Sequence, residues 1–464
     1  MNTLVCGFYQ PFINASIKYL VDNKVITLKK WIVAEGYENL GLDQKLFFQW
    51  EDLMDRQDIY KNLESCPADI YEKLYPYFPM FHVHLVRESY FESLTYYECQ
   101  VFTTLFLNFF YTLIKKEKIE LILFGDVPHG AYNFIIYCLA RALGIKILFV
   151  EQSFEFKTFF IYSSLEEIGR FSNLNIRQNS IPDVKIEEKF EKDLFYMKMP
   201  TSRDKLQKKA VLFIHPGLWC KNRFQMLREK RKRYKTIHEY LTYKDLRTVS
   251  RLYQEKEYKH NKKIFFSKAA DFAQKFVYFP LHLQPEMTTD TLGGVYYDQL
   301  LAIEHLSQML PQDWKIYVKE NPKQTEYMRG RAFFIRLGAI DKVVGVKSDT
   351  NTYDLIRHSQ FVATITGTAG WEAISGGKSV LVFAYAWYRY LPGVTIYHPG
   401  VTYRDVLSNI FSHEELEAAL NKLRKGLYTG IVNEDYCLSQ IASYNKIKNC
   451  LMVGQALASR ITTL

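Results

Sequence analysis

The chain has 464 residues, 48% hydrophobic and 24% charged, a globular composition too long for one ordinary core, so two domains are expected. Its net charge is +10, but 20 Lys+Arg against 6 Asp+Glu fall between positions 201 and 270, leaving the rest slightly acidic. No apolar run reaches the roughly 18 residues of a membrane span, no basic leader with a small-residue cleavage site opens the chain, and seven singly placed cysteines point to reduced thiols in a cytosolic protein rather than a disulfide framework.

Taken in order, Thr3 to Phe8 reads as a strand, the stretch through Val21 as a helix, and Val25 to Glu35 as a second strand, which makes a βαβ start. Helical pieces to Tyr77 and long helical periodicity from His82 to Lys116 follow. A strand ending at Phe124 leads into the loop Gly125-Asp126-Val127-Pro128-His129-Gly130, a helix Ala131 to Leu143 and a strand Ile145 to Val150. His129, and less strongly Glu151-Gln152-Ser153, sit where loops at the carboxyl ends of parallel strands line a cleft. A lone loop histidine also serves plain structural roles. Phe154 to Leu206 is weakly patterned, and Ala210 to His215 is a short strand.

The stretch Arg228-Glu229-Lys230-Arg231-Lys232-Arg233-Tyr234-Lys235 is the densest charge. It reads either as a solvated helix face or as a contact with an anionic membrane surface or lipid-linked acceptor. No nucleic-acid module accompanies it, so nucleic acid is not the expected partner.

From Lys275 the α/β rhythm resumes: strand 276–281, loop His282 to Thr289, helix Gly293 to Met309, strand Trp314 to Lys319, a strand at 343–346 and a short helix Thr352 to His358. Then comes the most informative passage. Phe361 to Ile365 is a buried-type strand, Thr366-Gly367-Thr368-Ala369-Gly370 a small-residue bend, Trp371 to Ile374 a helix stopped by Gly376-Gly377, and Lys378 to Phe383 another strand. In such a unit the bend's N–H groups and the positive end of the helix face one point, a setting for phosphate, with Glu372 placed to accept hydrogen bonds from ribose. Turn chemistry alone accounts for the same residues. The tail, Tyr403 to Leu464, alternates helical patches and is expected to cross back onto the first domain. The domains expected are 1–200, a basic linker 201–270, a second α/β domain 271–430 and a tail 431–464. No HExxH, zinc-ribbon or Walker A pattern is present, so no metal site is expected.

The order of QPE (284–286), NP (321–322), TGTAGWEA (366–373), GGKSVLVF (376–383) and WY (387–388) resembles the bacterial capsule and surface-polysaccharide glycosyltransferases related to the capsule-linker β-Kdo transferases. FGDVPHGAYNF (124–134) resembles, more loosely, their acceptor-side loop. The resemblance implies two Rossmann-like domains facing across a cleft (GT-B-like), a nucleotide-sugar donor, specifically CMP-Kdo or a relative, a glycan or glycolipid acceptor, and no cofactor. It places Gln284 and Glu286 at the reaction centre with His129 on the acceptor side, and gives Thr366, Gly367, Thr368, Ala369, Gly370 and Glu372, with Pro322 and Lys319, to the nucleotide. Asn321 departs from the His-Pro of the family: an imidazole can carry charge beside a leaving phosphate, whereas an amide only donates. Lys319 or Lys323 is then a candidate for that charge. Glu286 is the expected general base or nucleophile, Asp290 sharing the work, although a carboxylate there would also serve as a helix cap. Two alternatives stay open: a CDP-polyol phosphotransferase using His282 and His129, and a non-catalytic scaffold.

Overall fold

The computed structural model describes residues 1–33, 40–42, 45–47, 61–87, 95–154, 157–170, 183–186, 253–434, 437 and 443–464. The basic stretch 228–235 and the expected strand Ala210 to His215 lie outside them.

Two sheets organise the chain. The first contains β1 (Asn2–Cys6), β2 (Thr27–Val33), β3 (Lys45–Phe47), β4 (Leu121–Phe124), β5 (Lys146–Gln152), β6 (Thr158–Tyr162) and, from the far end of the chain, β13 (Tyr428–Thr429). Their order is β13-β6-β5-β4-β1-β2-β3, parallel from β5 to β3, with antiparallel β6 and β13 added at one edge. The second contains β7 (Phe276–Pro280), β8 (Lys315–Lys319), β9 (Val343–Gly345), β10 (Val362–Thr364), β11 (Val380–Val382) and β12 (Val394–Ile396). It is wholly parallel in the order β12-β11-β10-β7-β8-β9. Parallel strands are covered on both faces, hence the unbroken apolar runs LILF in β4 and VLV in β11, every residue of them buried.

Both sheets are doubly wound. In each, three strands run outward in one direction and the fourth starts again on the other side of the first, so a crevice opens at the carboxyl ends of β1/β4 and of β7/β10. The tail returns to the first sheet at Tyr428–Thr429, just inside the stretch 271–430, and the helix Lys446–Ile461 then packs on the helix Ala15–Asp22. Buried Asn449 fixes that return, donating to Phe12 O and Ile431 O at 2.9 Å each and accepting from Ile431 N at 2.7 Å.

The expected helical run from His82 to Lys116 is two helices, Phe78–Arg87 and Tyr96–Lys116, the second opened by a Thr95/Glu98 capping box. The expected helix from Gly293 starts as a 3-10 turn, Gly294–Tyr297, and becomes α-helical at Gln299. Among the described residues no helix is long and apolar enough to cross a membrane.

Candidate active site

The bend after β10 lies at the crevice of the second sheet. The helix that follows runs Thr368–Ser375, so Thr368, Ala369 and Gly370 form its first turn rather than a preceding loop. Its N-cap is Gly367, with no capping side chain, which leaves the first-turn N–H groups without a side-chain acceptor. Close packing dictates the glycines. A Cβ at 367 would lie 2.9 Å from Thr364 Oγ1 and 3.0 Å from His282 Nε2, and one at 370 would collide with the Tyr388 phenol. That phenol donates to Gly367 O, and Thr364 Oγ1 accepts from Gly367 N at 3.1 Å. His282 Nε2 meets the same hydroxyl at 2.8 Å, and burial, with Arg329 nearby, lowers the His282 pKa to about 4. The imidazole beside the bend is therefore neutral at physiological pH.

Thr366 Oγ1 donates to Thr288 O at 2.6 Å. This bond ties the bend to the loop after β7, which carries Gln284, Glu286 and Asp290. Gln284 is 4% exposed and its amide is fully engaged: Nε2 donates to Tyr297 O, while Oε1 accepts from Gln299 Nε2 at 2.7 Å and Arg329 Nη1 at 3.0 Å. Arg329 is wholly buried, paired with Glu320 at 3.3 Å, donating also to His282 O at 3.1 Å and lying over the Phe333 ring. Gln324 closes the set, its Oε1 accepting from Gln284 N and its Nε2 donating to Gln284 O. This network fixes the loop, and because Arg329, Gln299 and Gln324 lie far from QPE in sequence, nothing in the local pattern marks them.

Glu286, by contrast, is exposed, its Oε2 accepting from Thr288 Oγ1 at 2.9 Å, and its carbonyl caps the turn through Thr289 N and Asp290 N. Asp290, four residues on, has no exposed surface. Burial raises its pKa to about 7, Glu286 adding to the rise and Arg87 opposing it from 3.9 Å. Arg87 ends the helix Phe78–Arg87 of the first unit, so this contact joins the two halves. Thr291 adds two more links, its Oγ1 lying 3.2 Å from His84 Nε2 and donating to Pro128 O at 3.3 Å. His84 is completely buried and its pKa falls to about 3, desolvation being the main cause. The sequence reading did not single out Arg87 or His84: a helical His and Arg in an aromatic-rich run look like any other.

His129 lies on the same rim, with Nδ1 against Val127 O at 2.7 Å and the Asp126 carboxylate at 3.9 Å. Glu151, beyond it on β5, is driven to a pKa of about 8 by burial and by Asp126. Lys319 is turned elsewhere: its ammonium donates to Thr350 O at 2.6 Å and Thr352 Oγ1 at 3.1 Å. Asn321 Oδ1 accepts from Lys323 N at 2.9 Å, so the amide shapes the turn that holds Pro322. Lys323 is exposed on that turn. Glu372, expected to meet ribose, is 4% exposed within its helix. Aromatic stacking completes the seam: Phe154 of the first unit lies on Trp387 at 4.3 Å and near Trp371. Arg389 crosses the other way, donating to Glu166 O at 2.6 Å.

Two doubly wound units joined along the carboxyl ends of their sheets, with a glycine-threonine bend facing an acidic loop, define a two-domain Rossmann-like α/β protein of GT-B-like architecture. The chain belongs to the capsule polysaccharide biosynthesis protein family, whose model matches residues 174–409, a little over half of its length. No protein of curated function matches the sequence. Among solved structures it is similar to the β-Kdo 2,7-transferase of Thermosulfurimonas dismutans KpsC, at 12% identity over 67% of this chain and 79% of that one with a TM-score of 0.29. The β-Kdo 2,4-transferase of the same KpsC gives 12%, 65% and 78%, and 0.28. The UDP-GlcNAc 2-epimerase of Methanocaldococcus jannaschii gives 12% over 100% and 99%, and 0.23.

Proposed function

We propose that the chain is a glycosyltransferase of capsule or surface-polysaccharide assembly that moves a sugar, Kdo or a related ulosonic acid, from a CMP-activated donor to a glycan- or lipid-linked acceptor. The observation that carries the reading is the 2.6 Å bond from Thr366 to Thr288 O, which couples the uncapped helix start to the loop of Glu286 and Asp290. A single phosphate at the bend would be met by N–H groups and the helix dipole. The neutral His282 and the engaged Lys319 leave exposed Lys323 to supply positive charge on that side.

Glu286 is exposed and, among the described residues, its carboxylate is held by Thr288 alone, which suits it to attack or deprotonate. Asp290, whose pKa burial raises to about 7, would hold the matching proton behind it. The basic stretch 228–235 would meet anionic lipid on the cytoplasmic side of the membrane. The phosphotransferase reading is the weaker one, since His282, one of its two histidines, is buried with Nε2 on the Thr364 hydroxyl.

Thermal-shift titration with CMP, CDP and UDP tests the donor, with CMP expected to stabilise most. Glu286→Ala should abolish transfer from CMP-Kdo while leaving CMP affinity within a few-fold. Unchanged turnover would remove Glu286 from the reaction, and absence of binding by every nucleotide would favour a scaffold.

A further inference from the structure

The helix 253–265 opens the described part of the second unit. One side of it belongs to the core. Tyr258 and Phe266, the latter just past the helix end, are buried and pack on Phe334 of the helix Arg331–Gly338 with ring centroids 6.3 and 6.4 Å apart. The Tyr258 hydroxyl donates to Gln324 O at 3.1 Å. Gln324 in turn holds both main-chain groups of Gln284, so this helix is fixed to the loop that carries Glu286.

The other side is unpartnered. At about 3.6 residues per turn, positions 253, 256, 260, 263 and 264 share one stripe, and all five are exposed. The stripe reads Tyr253, Lys256, His260, Lys263 and Ile264, with half-buried Glu257 at its margin. Tyr253 is 66% and Ile264 62% exposed. Lys259, off the stripe, pairs with Glu255, whereas Lys256 and Lys263 have no carboxylate partner among the described residues. From 253 to 268 there are five lysines against two glutamates, and the helix lies within the basic tract 201–270.

Solvation accounts for the lysines but not for a tyrosine and an isoleucine standing in water among them. A nucleic acid would gain from the lysines and nothing from Ile264. The surface of an anionic bilayer takes every member of the stripe: lysines meet headgroup phosphates, a tyrosine sits at headgroup level, and an aliphatic side chain enters the acyl boundary beneath a helix lying in the plane. Resting on the membrane part of the function proposed above, we infer that the stripe Tyr253–Ile264 is where the second unit lies on an anionic phospholipid surface. Through Tyr258 and Gln324 that contact holds the 284–290 loop at a fixed height above the lipid.

Vesicle co-sedimentation of the full chain tests it, with mixed phosphatidylglycerol–phosphatidylcholine vesicles and with phosphatidylcholine alone. The wild type should bind the mixed vesicles about tenfold or more tightly than the neutral ones. Lys256→Gln together with Lys263→Gln should weaken that binding about tenfold or more. Ile264→Asp should weaken it about fivefold or more, with Tyr253→Ser in its place if that variant folds poorly. The CMP thermal shift should stay within two-fold throughout. Vesicle binding untouched by these substitutions but lost when Arg231, Lys232 and Arg233 are changed to Gln overturns the inference and leaves the basic stretch as the contact. Loss with the lysines but not with Ile264 or Tyr253 would make the stripe a general polyanion site, which also overturns it. No binding to mixed vesicles by the wild type overturns the inference and the membrane reading together, while the donor reading is judged separately by the response to CMP.

Discussion

A carboxyl group with no exposed surface, facing Arg87 at 3.9 Å, beyond hydrogen-bond reach, holds its proton more tightly than it would in an unfolded chain. Asp290 loses that proton near pH 7 when folded and near pH 4 when unfolded. Between those values the native state binds the extra proton, so stability falls as pH rises from about 4 to about 7 and is level above. Glu151, raised to about 8, extends the same trend. Asp290→Asn should therefore flatten the dependence of the melting temperature over pH 4–7, by up to about 1.4 kcal/mol per pH unit, and should raise stability at pH 8. An unaltered slope would show that Asp290 is ionised throughout. The chemical residues of this loop were legible in the sequence because QPE carries them. Their settings were not: the exposure of Glu286 and the burial of Asp290 follow from the Gln284–Arg329–Gln324 network, whose members are up to 45 positions apart.

At the scale of elements, the end of β8 shows how the burial of a central strand and the turn after it decide which of two lysines is available. Lys319, the last strand residue, is 7% exposed and bound to Thr350 and Thr352, and burial lowers its pKa. Lys323 lies past the Asn321 turn, in solvent. Lys323→Met should weaken CMP binding about two- to five-fold, the worth of an exposed charge, with little loss of stability. Lys319→Met should lower the melting temperature instead. The reverse pattern, read by calorimetric titration and melting, would assign the phosphate charge to Lys319. Central strands were legible as apolar runs. β6 was not, although every residue of TFFIY is buried, because it lies within the stretch from Phe154 to Leu206 read as weakly patterned and pairs antiparallel towards a sheet edge. The helix start at Thr368 was displaced in the sequence reading because Gly370 looks like loop; it is glycine so that Tyr388 can pack against it.

Over the whole molecule, the alternation of strand and helix makes two doubly wound sheets readable, and it places a loop of small residues at the crevice of the second. What it does not give is the seam. Arg87, His84 and Phe154 from one half and Thr291, Trp387 and Arg389 from the other come together only through tertiary packing. The tail crosses back onto the first unit as expected, but where it joins, at β13, rests on one buried asparagine and a two-residue strand, signals too small to fix the point of return.

The most direct measurement is a crystal structure with CMP bound. The phosphate should lie within hydrogen-bond distance of the main-chain N–H groups of Thr368 and Ala369, on the side of the bend that faces Glu286. CMP bound at another crevice, or with its phosphate turned away from the 284–290 loop, would contradict the account.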